Sequence, residues 1–187
     1  MRAQNSCGPD AMAFAADKTY AQVDKAWGIT NINKFSNLCD SPWHHLVAAE
    51  NLGVNIKIIG INEGLAYRGP GRVVVLLHVA PNGVISSMLA QHWVVLCPDW
   101  KERGFTFDES LSADKVFFFD GSTTASMLDG TRIIAPICVP KHDFIMQYAA
   151  GNPTPQCCYV INDPSLNQTI PWYARWYVKF INFFFGA

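Results

Sequence analysis

Residues 3–17, "AQNSCGPDAMAFAAD", decide the predicted fold, because they place a cysteine at the beginning of a helix. Pro9 suits the first turn of a helix, where a backbone N–H has no helical acceptor. The apolar residues of 11–16 lack β-branches and favour a helix. We therefore predict a helix that begins at Cys7 or Gly8.

Two further helices are predicted from their end signals. The segment 19–27 opens with Thr19 and Gln22 at the spacing of a capping box, and Gly28 follows its last residue. The segment 41–53, "SPWHHLVAAENLG", has serine as a helix cap, proline at the first helical position and glycine at the end. The first third of the chain is therefore predicted to be helical.

Strand-forming residues dominate the middle of the chain, and turn residues separate the strands. The connections are short, as antiparallel neighbours allow. Helices come first and a largely antiparallel sheet follows, which is typical of the α+β class rather than of alternating βαβ units. The expected strands are 54–60, 72–80, 92–98, 104–107, 115–121, 131–139 and 157–163, with a short helix near 142–150.

Composition limits the classes of protein to consider. The chain has 187 residues, of which 50% are hydrophobic and 16% are charged, and its net charge is −1. These values predict a single domain over residues 1–187, in which 150–187 could form a C-terminal extension. We expect no nucleic-acid partner, because no basic surface is indicated, and no transmembrane segment.

The cysteines indicate the redox setting. No secretory signal peptide is visible before Cys7, and no Cys-x-x-Cys pair occurs. We expect a reducing setting, either the cytoplasm or a host cell into which the protein is delivered. Metal-ligand spacings, phosphate loops and dinucleotide fingerprints are absent from the sequence, so we expect no metal and no cofactor.

Cys7 is the candidate nucleophile. A thiol reacts as the thiolate, which a helix N-terminus and a neighbouring histidine both stabilise. His92 begins an apolar strand, "HWVVLC", where an active site can reach it at the end of a sheet. Another strand, "KVFFFDG", ends in Asp120, whose carboxylate could orient the imidazole. His44 and His45, inside the third helix, are expected to be surface or packing residues.

These segments together resemble the papain-like cysteine peptidase superfamily, in particular the peptidase domains of bacteriocin-processing enzymes. In those, Cys-Gly opens the central helix, a strand begins as His-aromatic-Val-Val, and an aspartate follows. "NSCG" also resembles the nucleophile segment of ubiquitin C-terminal hydrolases. The resemblance covers residues 4 to about 121. It implies a papain-like fold with Cys7 as nucleophile, His92 as general base and acid, and Asp120 as the orienting acid.

The resemblance also implies an oxyanion hole. These families place a glutamine about six positions before the cysteine, and in this chain Met1 stands there. Gln4 or Asn5 is therefore the candidate donor beside the backbone N–H of Cys7. Asp163, in "YVINDPSL", is the alternative acid, because a strand followed by Asp-Pro also occurs in those families.

The expected function is a thiol protease that hydrolyses peptide bonds of a protein or peptide substrate through a Cys-His-Asp triad. Polyprotein processing or action as a secreted effector would suit it, with a viral or bacterial source. A glutamine deamidase, an acyltransferase or an amidase would need the same residues. The alternative of another class is a non-catalytic interaction module, which would have a Cys7 of ordinary reactivity.

The C-terminal run, "PWYARWYVKFINFFFGA", is apolar at nearly every helical phase, and Arg175 and Lys179 interrupt it. The expected arrangement is a buried segment that packs on the sheet. The alternative is an exposed surface over 171–185 that contacts a membrane or a protein partner.

Overall fold

The computed structural model describes residues 7–28, 41–78, 91–99, 114–120, 137–147 and 158–185. Their strands form one antiparallel sheet in the order β1-β6-β2-β3-β4-β5, so the last strand in the chain lies between β1 and β2. The expected α+β class with an antiparallel sheet is therefore confirmed. The strands are β1 (Ile56–Ile58), β2 (Arg72–His78), β3 (Gln91–Leu96), β4 (Lys115–Asp120), β5 (Ile137–Pro140) and β6 (Cys158–Ile161).

Local end signals explain where the first helices lie. The Thr19 hydroxyl accepts a hydrogen bond from the Gln22 backbone, and the Gln22 side chain accepts one from the Thr19 backbone at 2.9 Å. Gly28 ends that helix in the left-handed conformation, at φ 78°. The three predicted helices are confirmed. The described helices are α1 (Cys7–Ala16), α2 (Tyr20–Trp27), α3 (Pro42–Leu52), α4 (Ile61–Ala66), α5 (Lys141–Gln147) and α6 (Trp172–Phe185).

Both faces of the sheet are covered, which explains why its strands are continuous apolar runs. Helices α1, α2 and α3 cover one face, and α4 and α5 contact side chains on the other. On the face below α1, the sheet contributes Val74, Leu76, Trp93, Val95, Phe117, Phe119, Tyr159 and Ile161 to what we call the first cluster. The second cluster, on the opposite face, includes Val73, Val75, Leu77, Val94, Leu96, Val116, Phe118, Cys158 and Val160.

Several sequence-based expectations are corrected or lie outside the described residues. The strand expected at 54–60 is confined to β1, and the unpredicted helix α4 follows it. Helix α4 forms because Ile61 and Leu65 pack against the second cluster. The strand expected at 104–107 lies outside the described residues. The single domain over 1–187 and its C-terminal extension stay predictions.

The C-terminal run is only half-buried, which corrects the expectation of a buried segment on the sheet. It forms α6, which packs on α3 through one side, where Ala174, Val178 and Ile181 are buried. Its other side is exposed and aromatic. Among the described residues, no helix combines the length and the hydropathy that crossing a bilayer requires.

Candidate active site

The C-terminal end of α1 is held over the beginning of β2. Arg72, the first residue of β2, donates hydrogen bonds to the Phe14 carbonyl and, at 2.9 Å, to the Asp17 carboxylate. Its guanidinium carbon lies 4.5 Å from the centroid of the Phe14 ring. The same ring packs edge-on against Phe119 of β4, with centroids 5.0 Å apart. These contacts fix the direction in which α1 crosses the sheet.

Cys7 lies at the other end of α1. It is the first helical residue and is half-buried against the first cluster. A helix of this length rises about 15 Å, and α1 packs along β2 and β3. The helix N-terminus is therefore directed toward the end of the sheet where β2 finishes at His78 and β3 begins at Gln91.

Backbone register brings two more candidate residues to this end of the sheet. His92 is the second residue of β3 and pairs with Leu77, close to the end of β2. Asp120 is the last residue of β4 and pairs with Val94. The antiparallel pairing thus puts the beginning of β3 at the end toward which Cys7 is directed, and β4 runs toward that end and finishes two residues short of the level of His92.

The oxyanion-hole candidates Gln4 and Asn5 lie outside the described residues, and so do the side chains of His92 and Asp120. Their catalytic roles stay predictions. One residue that the sequence analysis passed over is Asp10, which is buried in the first turn of α1. A carboxylate in the first turn of a helix interacts favourably with the helix dipole. The position of Asp10 in the first turn of the predicted helix was therefore the sequence signal that could have identified it.

The alternative acid, Asp163, has its own hydrogen-bond partners. Its carboxylate accepts hydrogen bonds from the Tyr67 hydroxyl and from the backbone N–H and hydroxyl of Ser165, at 2.9 and 2.7 Å. The bond from Tyr67, followed by those from Ser165, lowers the pKa of Asp163. Burial, with the bond to Asp163, raises the pKa of Tyr67 to about 12. The Tyr67 oxygen also accepts a bond from the Gly71 N–H at 3.0 Å.

Asp163 lies at the end of the sheet opposite to His92. Ile161, two residues before it, pairs with Arg72 at the beginning of β2, whereas His92 pairs with Leu77. The five residues from Arg72 to Leu77 span about 16 Å of strand. This distance exceeds the combined reach of a carboxylate and an imidazole, so the strand register favours Asp120 over Asp163 as the orienting acid.

His44 is a buried packing residue, which is one of the two roles expected for it from the sequence. Asn182 of α6 donates to the Trp27 carbonyl at 2.9 Å, so its side-chain oxygen is the acceptor for His44 Nε2, at 3.1 Å. His44 Nδ1 then accepts from the Ser41 hydroxyl at 2.8 Å. Burial lowers the pKa of His44 to about 4. The neutral imidazole therefore joins α2, α3 and α6.

His45 is fully buried in the aromatic part of the first cluster. Its ring centroid lies 3.9 Å from that of Trp93 and 5.6 Å from that of Tyr159. Burial, and then the charge of His44, lowers the pKa of His45 well below its usual value. The sequence offered no signal for this, since histidine is found at both surface and interior positions.

Cavities open at the end of the described sheet that lies opposite to the beginning of β3. Two neighbouring ones, of about 300 and about 460 Å³, share Arg68, Leu96 and Pro98 in their walls. Leu96 ends β3, so both open at the end of the sheet opposite His92. Among the described residues, no group of three histidine, cysteine or acidic side chains has an arrangement that could hold a metal ion.

Comparison with known proteins identifies a structural neighbour. No protein-family model matches the chain, and no curated protein sequence matches it significantly. The structure is similar to the peptidase domain of Streptococcus ComA, a bifunctional ABC transporter involved in a quorum-sensing pathway, with a TM-score of 0.51. The match covers 87% of this chain and 95% of that domain at 12% identity. At this identity, the similarity concerns the fold alone.

Proposed function

We propose that this chain is a cysteine peptidase of papain-like fold, in which Cys7 is the nucleophile, His92 the general base and acid, and Asp120 the orienting acid. One observation carries the proposal: the N-terminus of α1 is directed to the end of the sheet where β3 begins, and β4 runs toward the same end. Fold similarity to a peptidase domain supports it independently. The proposed substrate is a peptide or protein, and the proposed setting is reducing.

In the proposed reaction, His92 takes the proton of Cys7 Sγ, and the thiolate attacks the carbonyl carbon of the scissile bond. The backbone N–H of Cys7, with Gln4 or Asn5, donates to the oxyanion. The imidazolium then protonates the leaving amine, which leaves a thioester on Cys7. Water attacks the thioester while His92 accepts a proton, and the proton returns to sulfur as the acid product departs.

The proposal makes a structural demand on the beginning of β3. Trp93 and Val95 belong to the first cluster below α1, whereas Val94 belongs to the second. Strict alternation along the strand would assign position 92 to the second face. The same alternation assigns position 120, which pairs with Val94, to the second face. A catalytic triad therefore requires His92 and Asp120 to reach Cys7 around the end of the sheet, because a local break before Trp93 would turn His92 alone to the first face.

Site-resolved alkylation tests the nucleophile. Iodoacetamide labelling is followed by mass spectrometry of the digested protein, with Cys138, half-buried on β5, as the internal reference. We expect Cys7 to react at least about tenfold faster than Cys138 near pH 6, because a thiolate held by an imidazolium persists there. His92→Ala should abolish the advantage, and Asp120→Asn should reduce it.

Equal alkylation rates at Cys7 and Cys138, or a fast rate at Cys7 that His92→Ala does not change, would exclude the proposed pairing of Cys7 with His92. Either result would favour an interaction module. The reaction class is then read from peptide substrates by mass spectrometry. Cleavage gives two fragments, deamidation leaves one chain of slightly higher mass, and acyl transfer joins two molecules. Cys7→Ser is the inactive control in each case.

A further inference from the structure

Helix α6 presents an aromatic face to solvent. The exposed fractions are 74% for Trp172, 61% for Trp176 and 76% for Phe183. Residues three or four positions apart lie on one side of a helix, so these rings form a continuous surface. We call it the aromatic stripe, and its members are Trp172, Tyr173, Trp176, Phe180, Phe183 and Phe184.

The rings of the aromatic stripe pack against one another. Trp176 stacks on Phe180 with centroids 5.4 Å apart, and Phe180 contacts Phe184 at 4.8 Å. These contacts order the rings before any partner binds. A contiguous exposed apolar patch of this kind marks an interaction surface.

The stripe faces outward because α6 is fixed on its other sides. Arg175 Nε donates to the Glu50 carboxylate of α3 at 2.8 Å. Asn182 bridges His44 and the Trp27 carbonyl. Rolling the helix to bury the stripe would break both attachments. The exposure is therefore a property of the folded chain.

Charge on α6 is of one sign. From 171 to 185 the sequence contains no aspartate or glutamate, and its two cations, Arg175 and Lys179, are exposed. At about 100° per residue, Lys179 lies next to the edge formed by Trp172 and Phe183, and Arg175 lies just beyond it. A lysine in such a position can lay its aliphatic stem along the rings and extend its ammonium group to an anion.

We propose that α6 binds the surface of an anionic phospholipid bilayer, with the aromatic stripe among the headgroups and Lys179 at the lipid phosphates. Tryptophan and tyrosine favour this region of a bilayer, and a helix with aromatic and cationic surfaces is typical of it. Pairing of α6 with α6 of a second copy is less favourable, because Glu50 already pairs with Arg175 and α6 offers Lys179 no acidic partner. The contact does not depend on catalysis by Cys7.

Flotation of the full chain with large unilamellar vesicles tests this. We expect binding to phosphatidylcholine vesicles that contain phosphatidylglycerol, weaker binding to phosphatidylcholine alone, and loss of the difference at high salt. The double variant Trp176→Ser/Phe183→Ser should lower the partition coefficient at least about tenfold. Lys179→Glu should lower it at least about fivefold on anionic vesicles, whereas Lys141→Glu, an exposed matched control on α5, should bind as the parent does.

All four substituted side chains are exposed, and circular dichroism checks that each variant keeps the parent fold. The proposal is overturned if the parent does not bind anionic vesicles, or if the double variant binds as well as the parent. Sedimentation velocity gives the alternative outcome. If the parent does not bind vesicles but forms a dimer, and the double variant is a monomer, the aromatic stripe is instead a contact surface for a second copy of the chain.

Discussion

Replacing His44 with glutamine should flatten the dependence of stability on pH between about pH 7 and about pH 5. The His44 side chain is 1% exposed, and burial lowers its pKa from 6.5 to about 4. The unfolded chain exposes this imidazole to water and restores its ordinary pKa. Folding therefore excludes a proton that the unfolded chain binds in mild acid.

The sign follows from this lowered pKa. Above about pH 6.5 both states are neutral at His44, and the full stability is present. As the pH falls toward 4, only the unfolded state gains the proton, so the folded state loses relative stability. With pKa values of 6.5 and about 4, the loss between pH 7 and pH 5 is about 2 kcal/mol. His45, whose pKa burial also lowers, contributes in the same direction.

Urea unfolding at a series of pH values measures the effect. The free energy of unfolding of the parent should fall by about 2 kcal/mol more over this interval than that of His44→Gln. Asn182→Ala is the matched control, because it removes the hydrogen bond to His44 and leaves the buried imidazole in place. It should lower stability at every pH and keep the parent's pH dependence. The same pH dependence in His44→Gln and the parent would refute the reasoning.

Three further predictions concern stability, each measured by the urea midpoint. Gly28→Ala should lower the free energy of unfolding by at least about 1 kcal/mol, because φ at Gly28 is 78° and the new Cβ would lie 2.9 Å from Asn182 Nδ2. An unchanged free energy would contradict this prediction. Thr19→Ala should cost about 1 kcal/mol through loss of the capping box, and Thr19→Ser should restore most of it. Asp163→Asn should destabilise the protein at neutral pH, because Tyr67 and Ser165 favour the carboxylate. That difference should shrink as the pH falls through the lowered pKa of Asp163, and a pH-independent difference would count against the assigned bonds.

Elements with signals at their own ends could be predicted from the sequence. The capping box at Thr19 and the left-handed glycine at Gly28 involve residues within one or two turns. Helix α4 has no such signal, because its N-cap, Gly60, has no side chain to cap it and the helix has only six residues. It is held by the packing of Ile61 and Leu65 on the second cluster, which is not visible in a local window.

The orientation of α6 could be predicted from the sequence only in part. The stretch is apolar at almost every phase, so periodicity alone did not separate its two sides. The buried side consists of small and aliphatic residues, Ala174, Val178 and Ile181, spaced by four and three positions. Those residues allow α6 to lie close to α3, and the larger aromatic rings occupy the remaining surface. The size of the apolar side chains, rather than their presence, therefore distinguishes the buried side of α6 from its exposed side.

The choice between Asp120 and Asp163 depended on strand direction, which the sequence does not reveal. Both acids follow an apolar strand, and by local pattern they are equivalent. In the sheet, β4 runs antiparallel to β3 and therefore toward the end where β3 begins, and its last residue, Asp120, pairs with Val94, two residues from His92. Strand β6 pairs with β2 instead, and both β3 and β6 are antiparallel to β2. Strands β3 and β6 therefore run in the same direction, and an acid after β6 lies at the end of the sheet that His92 does not occupy.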